Sequence, residues 1–410
     1  APSARLDTAS MTSIPRAHPS QRKNSPDTPG RIRASPAMPG THALIVGVGG
    51  YPHLEGGTGT PIEDPLQYGN LGQLTSPPRS ALAFANWLCQ NAHERWKAPL
   101  ASVDMLISPS PADPSPAGLG MSFHEPTIAG IRTAWESWMS RCSTNPGNVA
   151  VFYFCGHGLQ STEQILLASD FGQFDNHFVG AFGFESSRYG FLQHPPQTQC
   201  FFIDACRGVT PGVVEKLGSP TVLPLVTLTA YKKRQCEHDL TLQSSAPFQS
   251  AFGPIGAVSH FTAALICAFE GGAATTDEYG DWVIRTERVS ARIDDLLEAQ
   301  SGRRQPTAKG PGLASTVLYR LDAPPDVKLT LGCDPRLALD KATLFYKPDS
   351  PPRAKRIMRT PPASVAWELT VRGGYYTVGA SFADSTFEKS RRGVLLEPPF
   401  SPQVLRVRPK

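Results

Sequence analysis

From residue 41 the chain alternates short, dense apolar runs with stretches whose apolar positions recur every three or four residues. HALIVGVGGY (42–51), VAVFYFC (149–155), QCFFID (199–204) and VLPLVTLTAY (222–231) are continuous apolar runs rich in branched and aromatic residues. That texture predicts strands buried on both faces, as in a parallel sheet. SALAFANWLCQ (80–90), TIAGIRTAWESWMSRC (127–142), HFTAALICAFEGG (260–272) and ERVSARIDDLLEAQ (287–300) carry the helical spacing instead, the third closed by glycine. Strands alternating with helices imply an α/β domain, a mostly parallel sheet flanked by helices, ending near Leu321.

The texture changes at both ends. Beyond Pro324 and Pro325 come short alternating runs, VKLTLG, ATLFYK, WELTVRGGYYTVGASF and QVLRVRP, which predict a small antiparallel all-β sandwich over 323–410. The pair Gly373 and Gly374 reads as a hairpin turn within it. Residues 1–40 hold seven prolines and six basic side chains, too little apolar surface to offset ordering entropy, so this segment is expected to be disordered. The α/β block is then 41–322.

Composition narrows the function classes. A net charge of +4 over 410 residues, with no basic block in the periodic part, gives no support for nucleic-acid binding. No run approaches the roughly 20 apolar residues of a membrane span, so the chain reads as soluble. The eight cysteines form no CxxC pair and the histidines no metal-ligand spacing, which suits a reducing cytoplasm and predicts neither metal nor cofactor.

Two of the predicted strands run directly into reactive residues. VAVFYFC is followed by Gly156, His157 and Gly158, and QCFFID by Ala205, Cys206, Arg207 and Gly208. In a parallel sheet, sites form at the carboxyl ends of strands, so neighbouring strands would bring His157 and Cys206 to one edge. An imidazole able to take the thiol proton makes cysteine a nucleophile, and the backbone N–H groups of Gly158 and Cys206 could converge on a developing oxyanion. The other cysteines read as core.

The segment Asp204-Ala205-Cys206-Arg207-Gly208 resembles the nucleophile motif of caspases, with aspartate in place of their glutamine, and His157 lies 49 residues upstream, near that family's spacing. ALIVGVGGY, PRSALAFANWL and LTAYKKRQC with HFTAALICAFEGG are similar to prokaryotic caspase-like peptidases. The resemblance spans 41–322. It implies the caspase–hemoglobinase fold and peptide hydrolysis through a Cys206 acyl-enzyme with His157 as general base and acid. By the same resemblance, Asp204 sides with metacaspases and paracaspases, which cut after arginine or lysine, while Ser80 stands where their second acidic pocket residue would be, preceded by Arg79. Arg79 would either pair with Asp204 or point to solvent. The stretch 208–220 resembles an activation linker with Lys216 as a basic cut site. The resemblance further implies a protein substrate, in bacterial defence or cell-death systems a gasdermin-like pore former. The competing expectation is a catalytically silent adaptor that assembles partners through its β domain.

Overall fold

The computed structural model describes residues 4–6, 38–92, 95–114, 123–215, 222–229, 233–249, 253–310 and 312–410. The chain forms two compact units, one comprising 1–266 and 297–316, the other 267–296 and 317–410.

The first unit is built on a seven-stranded sheet. Its strands are β1 (Ala4–Leu6), β2 (Thr41–Val48), β3 (Leu100–Ser108), β4 (Val149–Gly156), β8 (Thr198–Ala205), β10 (His238–Gln243) and β13 (Ala308–Lys309), in the order β1-β3-β2-β4-β8-β10-β13. The five central strands are parallel, and β1 and β13 close the edges antiparallel. Strand alternation sorts the side chains onto two faces. Phe152 and Phe154 of β4 and Phe201 and Ile203 of β8 share one core with Trp135 and Trp138 of α2 (Ile128–Cys142) and Phe191 of α3 (Phe184–Phe191). Trp138 stacks on Phe191 with centroids 4.5 Å apart. On the other face Tyr153 stacks on Phe84 of α1 (Ser76–Asn91) at 5.0 Å, and its hydroxyl bonds Thr262 of α5 (His260–Cys267) at 2.6 Å. The expected α/β sheet flanked by helices is therefore present. A second sheet of β5 (Gly158–Gln160), β6 (Gln164–Leu167), β7 (Ala181–Gly183) and β9 (Leu223–Pro224) lies in the same unit.

Three expectations need correction here. VLPLVTLTAY supplies no buried sheet strand: only Leu223–Pro224 pairs, with Leu223 exposed, and residues 230–232 lie outside the described set. Pro224 has no N–H to give a ladder, which suits it to an edge. The strand beside β8 is β10, HDLTLQ, whose Asp239 disguised it.

The second correction concerns Gly373 and Gly374. The second unit holds β11 (Ala274–Thr276), β12 (Trp282–Arg285) and β14 (Val317–Arg320) in one sheet, and helix α6 (Thr286–Ser301) begins in it. Its two further sheets are β18 (Trp367–Arg372), β15 (Asp326–Asp334) and β21 (Phe400–Arg406), and β17 (Ile357–Met358), β16 (Ala342–Pro348), β19 (Gly374–Phe382) and β20 (Ser390–Leu396). Because β18 and β19 belong to different sheets, Gly373-Gly374 is a crossover between them, not a hairpin. A Cβ on Gly373 would fall 2.8 Å from the Trp282 ring, and Gly374 has φ 148°, so glycine is required at both for different reasons. The two sheets bury Val327, Leu329, Leu331, Leu344, Val378 and Ala380 in one core, which makes them a sandwich. Thirdly, the sandwich is not wholly antiparallel, since β21 runs parallel to β15.

Candidate active site

Strands β4 and β8 pair in parallel up to Gly156↔Ala205, and the offset persists beyond them, where Leu159 bridges Gly208. His157 and Cys206, the next residue on each strand, are thus held side by side at the carboxyl edge of the sheet. The two backbones come so close that a Cβ on Gly158 would lie 2.5 Å from the Cys206 carbonyl oxygen, so only glycine fits there.

The contacts around His157 fix its orientation. Its backbone N–H donates to the Tyr51 hydroxyl at 2.8 Å, and the Tyr51 ring lies tilted against the imidazole at 4.9 Å. Its Nε2 sits 2.7 Å from the Gly72 carbonyl oxygen. A carbonyl can only accept, so Nε2 carries the proton and Nδ1 is left as the basic nitrogen. Burial lowers the His157 pKa to about 4, against a smaller upward pull from Gly72. The ring is neutral at pH 7. Burial likewise pushes the Tyr51 phenol up, so it stays a neutral acceptor for the His157 N–H.

Cys206 is a half-buried thiol that forms no disulfide. A polar network lies behind it that sequence reasoning did not find. Gln164 of β6 donates through Nε2 to the carbonyls of Ala205 and Cys206 at 3.2 and 3.1 Å. Gln243 of β10 donates to Gln164 Oε1 and to Glu185 Oε1, both at 2.9 Å. The buried Arg207 guanidinium then ties Gln160, Gln243 and Glu185 together at 2.7, 3.0 and 3.3 Å. Arg207 is therefore a strut under the nucleophile loop. Its own peptide is clamped by Gln249 O and Phe248 N–H at 2.9 and 2.8 Å, and Phe248 adopts φ 69° with its side chain 72 % exposed. A backbone contact such as Gly72 leaves no residue-type signal in a sequence, whereas Tyr51 stood at the end of the GVGGY run.

The expected substrate residues separate. Asp204 points to the α1 and α5 face, where its carboxylate accepts from the hydroxyl of Ser259, from Thr262 at 3.1 Å and from the Cys155 thiol at 3.5 Å. Burial raises its pKa, against those hydrogen bonds. Ser80 adjoins this cluster, its Oγ accepting from the Ser259 N–H at 2.9 Å. Arg79 goes elsewhere, forming a bidentate pair with Asp113 at 2.6 and 3.1 Å, so it does not neutralise Asp204. Lys216 lies outside the described residues; the stretch before it contains the short helix α4 (Pro211–Glu215). No cluster of three metal-ligating side chains occurs among the described residues, and no described helix is long and apolar enough to cross a membrane.

Residues 117–314 match the family model of the caspase domain. The uncharacterized protein y4kE of Sinorhizobium fredii is 29 % identical over 304 residues, covering 70 % of this chain and 84 % of that protein. The crystal structure of caspase-1 from Spodoptera frugiperda aligns with 73 % of this chain and 96 % of its own at 12 % identity and a TM-score of 0.38. The region that matches the caspase domain contains both His157 and Cys206, and the chain carries a caspase-like peptidase fold.

Proposed function

We propose that this chain is a cysteine endopeptidase that cuts protein substrates through an acyl-enzyme on Cys206. The observation that carries the reading is the side-by-side register of His157 and Cys206, with Nε2 of His157 committed to Gly72 and Nδ1 left basic. Nδ1 takes the Sγ proton as sulfur bonds to the scissile carbonyl carbon, and the oxygen gathers charge facing the N–H groups of Gly158 and Cys206. His157 then returns the proton to the leaving amine as the C–N bond breaks. Water, deprotonated by the same nitrogen, hydrolyses the thioester. The network from Gln164 to Arg207 keeps the nucleophile loop from sagging during these steps, since it grips the Cys206 carbonyl directly.

For the residue before the cut, Asp204 favours a basic side chain. Among the described residues its buried carboxylate is met by neutral hydroxyl and thiol donors, so an incoming cation that displaces the Ser259 hydroxyl gains a stronger partner. The gasdermin-like substrate and the defence role rest on the family resemblance alone.

The test is a fluorogenic peptide panel that varies the residue before the cut, run on the wild type and on Cys206→Ala. Cleavage by the wild type and its absence in the variant is the expected result, with arginine and lysine ahead of aspartate and that order lost in Asp204→Asn. Equal inertness of both proteins on every peptide, and on unfolded protein substrates, would reject the peptidase reading in favour of an adaptor.

A further inference from the structure

A cavity of about 180 Å³ opens beside the His157 side of the site. Tyr51, Pro52, Gln73, Pro109, Pro111 and Glu125 are among its walls. It adjoins the proposed catalytic pair through two of them. Tyr51 is the ring that lies against His157, and Gln73 follows the glycine whose carbonyl orients His157 Nε2. Sheet order places it further. The strands run β3, β2, β4, β8, and the cavity gathers residues at and just past the ends of β2 and β3, so His157 stands between it and Cys206.

That order has a chemical meaning. The histidine of an acyl-transfer pair must reach the leaving amine to protonate it, so the departing half of the substrate lies on the histidine side of the nucleophile. Continuing outward from Cys206 past His157, that half meets the ends of β2 and β3.

The walls also select. Tyr51, Pro52, Pro109 and Pro111 give apolar surface, and Glu125 gives a carboxylate that makes no ion pair or side-chain hydrogen bond among the described residues. Glu125 is presented by a backbone held on both sides: the His124 carbonyl accepts from Ile107 N–H of β3 at 3.0 Å, and the Pro126 carbonyl from Ser169 N–H at 2.9 Å. Gln73 is not available to a ligand in the same way, because its amide is spent on Tyr51 and Glu55. At about 30 Å³ per water the space equals about six waters, enough for one long side chain and too little for a folded element. An aliphatic stem along the prolines with a cation at the carboxylate is the amphipathic pattern of lysine and arginine.

We propose that this cavity is a subsite for a basic side chain on the leaving side of the scissile bond, with Glu125 as its specificity residue. The inference rests on the peptidase reading for its place in the reaction. It does not rest on Asp204, which serves the opposite side of the cut.

Two measurements test it. In the first, peptides identical before the cut carry Lys, Gln or Glu at the first or second position after it, and kcat/KM is compared. In the second, the same peptides bind the full-length Cys206→Ala protein, read by fluorescence anisotropy. Lysine is expected to exceed glutamate by about tenfold in both, the scale of one charge-assisted contact. Glu125→Gln should level the series and Glu125→Lys should invert it. A Lys-to-Glu ratio that Glu125→Gln leaves unchanged in both assays overturns the proposal while cleavage itself leaves the peptidase reading standing. Glu125-dependent binding without any cleavage by the wild type supports the basic subsite and rejects the peptidase reading instead.

Discussion

His157 combines burial, a fixed tautomer and a neutral ring, and each has a measurable consequence. Its folded pKa of about 4 lies below the ordinary value of 6.5, so between those values the unfolded chain binds more protons than the folded one. Stability held above pH 6.5 is therefore lost as the pH falls, by about 1.4 kcal/mol per unit for one such group, until the folded ring also titrates. His42, also buried and also lowered to about 4, with a smaller contribution from Arg141, acts in the same direction. Melting temperature followed from pH 7.5 to 4 should fall through this window, and His157→Gln should reduce the slope. Activity gives the complementary reading. The acid limb of kcat/KM, measured where the protein is still folded, should lie well below pH 6.5, because the basic form of the ring persists there. An acid limb at 6.5 would mean that the imidazole is solvated in the working enzyme.

At the scale of elements, what the sequence concealed was charge inside strands. Strand β3 carries Asp104 and β10 carries Asp239, both buried, and neither strand was predicted because a carboxylate interrupts the apolar run. Each is matched by an arginine, Arg141 of α2 for Asp104 and Arg188 of α3 for Asp239. Such a pairing between distant segments is invisible to a local pattern. Conversely VLPLV looked like a strand and is mostly an edge, since Pro224 cannot join a central ladder. The strands that needed no partner charge, β2, β4 and β8, were legible throughout, and with them the two residues at the ends of β4 and β8. What those residues lean on was not legible, because Gly72 acts through its backbone and Gln164, Gln243 and Glu185 converge only in three dimensions. Removing the arginine from one of these pairs strands a buried charge. Arg188→Ala should lower the unfolding free energy by about 3–5 kcal/mol, read by urea denaturation. The double change Arg188→Met with Asp239→Leu should recover most of that loss, because the uncompensated carboxylate is what destabilises.

For the whole molecule, the way the chain divides matters for any attempt to isolate the proposed peptidase. Sequence texture places a boundary after residue 322, where the alternating runs begin, yet residues 267–296 cluster with 317–410 in one compact unit. The contacts inside that unit are specific. Gly373 presses on the Trp282 ring, Gly373 N–H donates to the Pro325 carbonyl at 2.7 Å, and Glu397 accepts from Thr275 at 2.6 Å and pairs with Arg288 at 3.1 Å. Ending the chain at 322 would strip the Gly373 and Glu397 contacts from β11, β12 and the start of α6, and would bare Trp282, now only 8 % exposed. Burial of an aromatic ring of that size contributes several kcal/mol, a large fraction of the about 5–15 kcal/mol that holds a domain together. A 1–322 fragment should therefore melt well below the full chain, with Trp282 fluorescence shifted to the red, or fail to remain soluble. If instead 1–322 melts like the full chain, residues 267–296 hold their structure without the sandwich, and the texture boundary is also the physical one. The outcome decides whether the proposed peptidase can be assayed apart from its β sandwich, which is the condition for separating a catalytic role of the first unit from a recruiting role of the second.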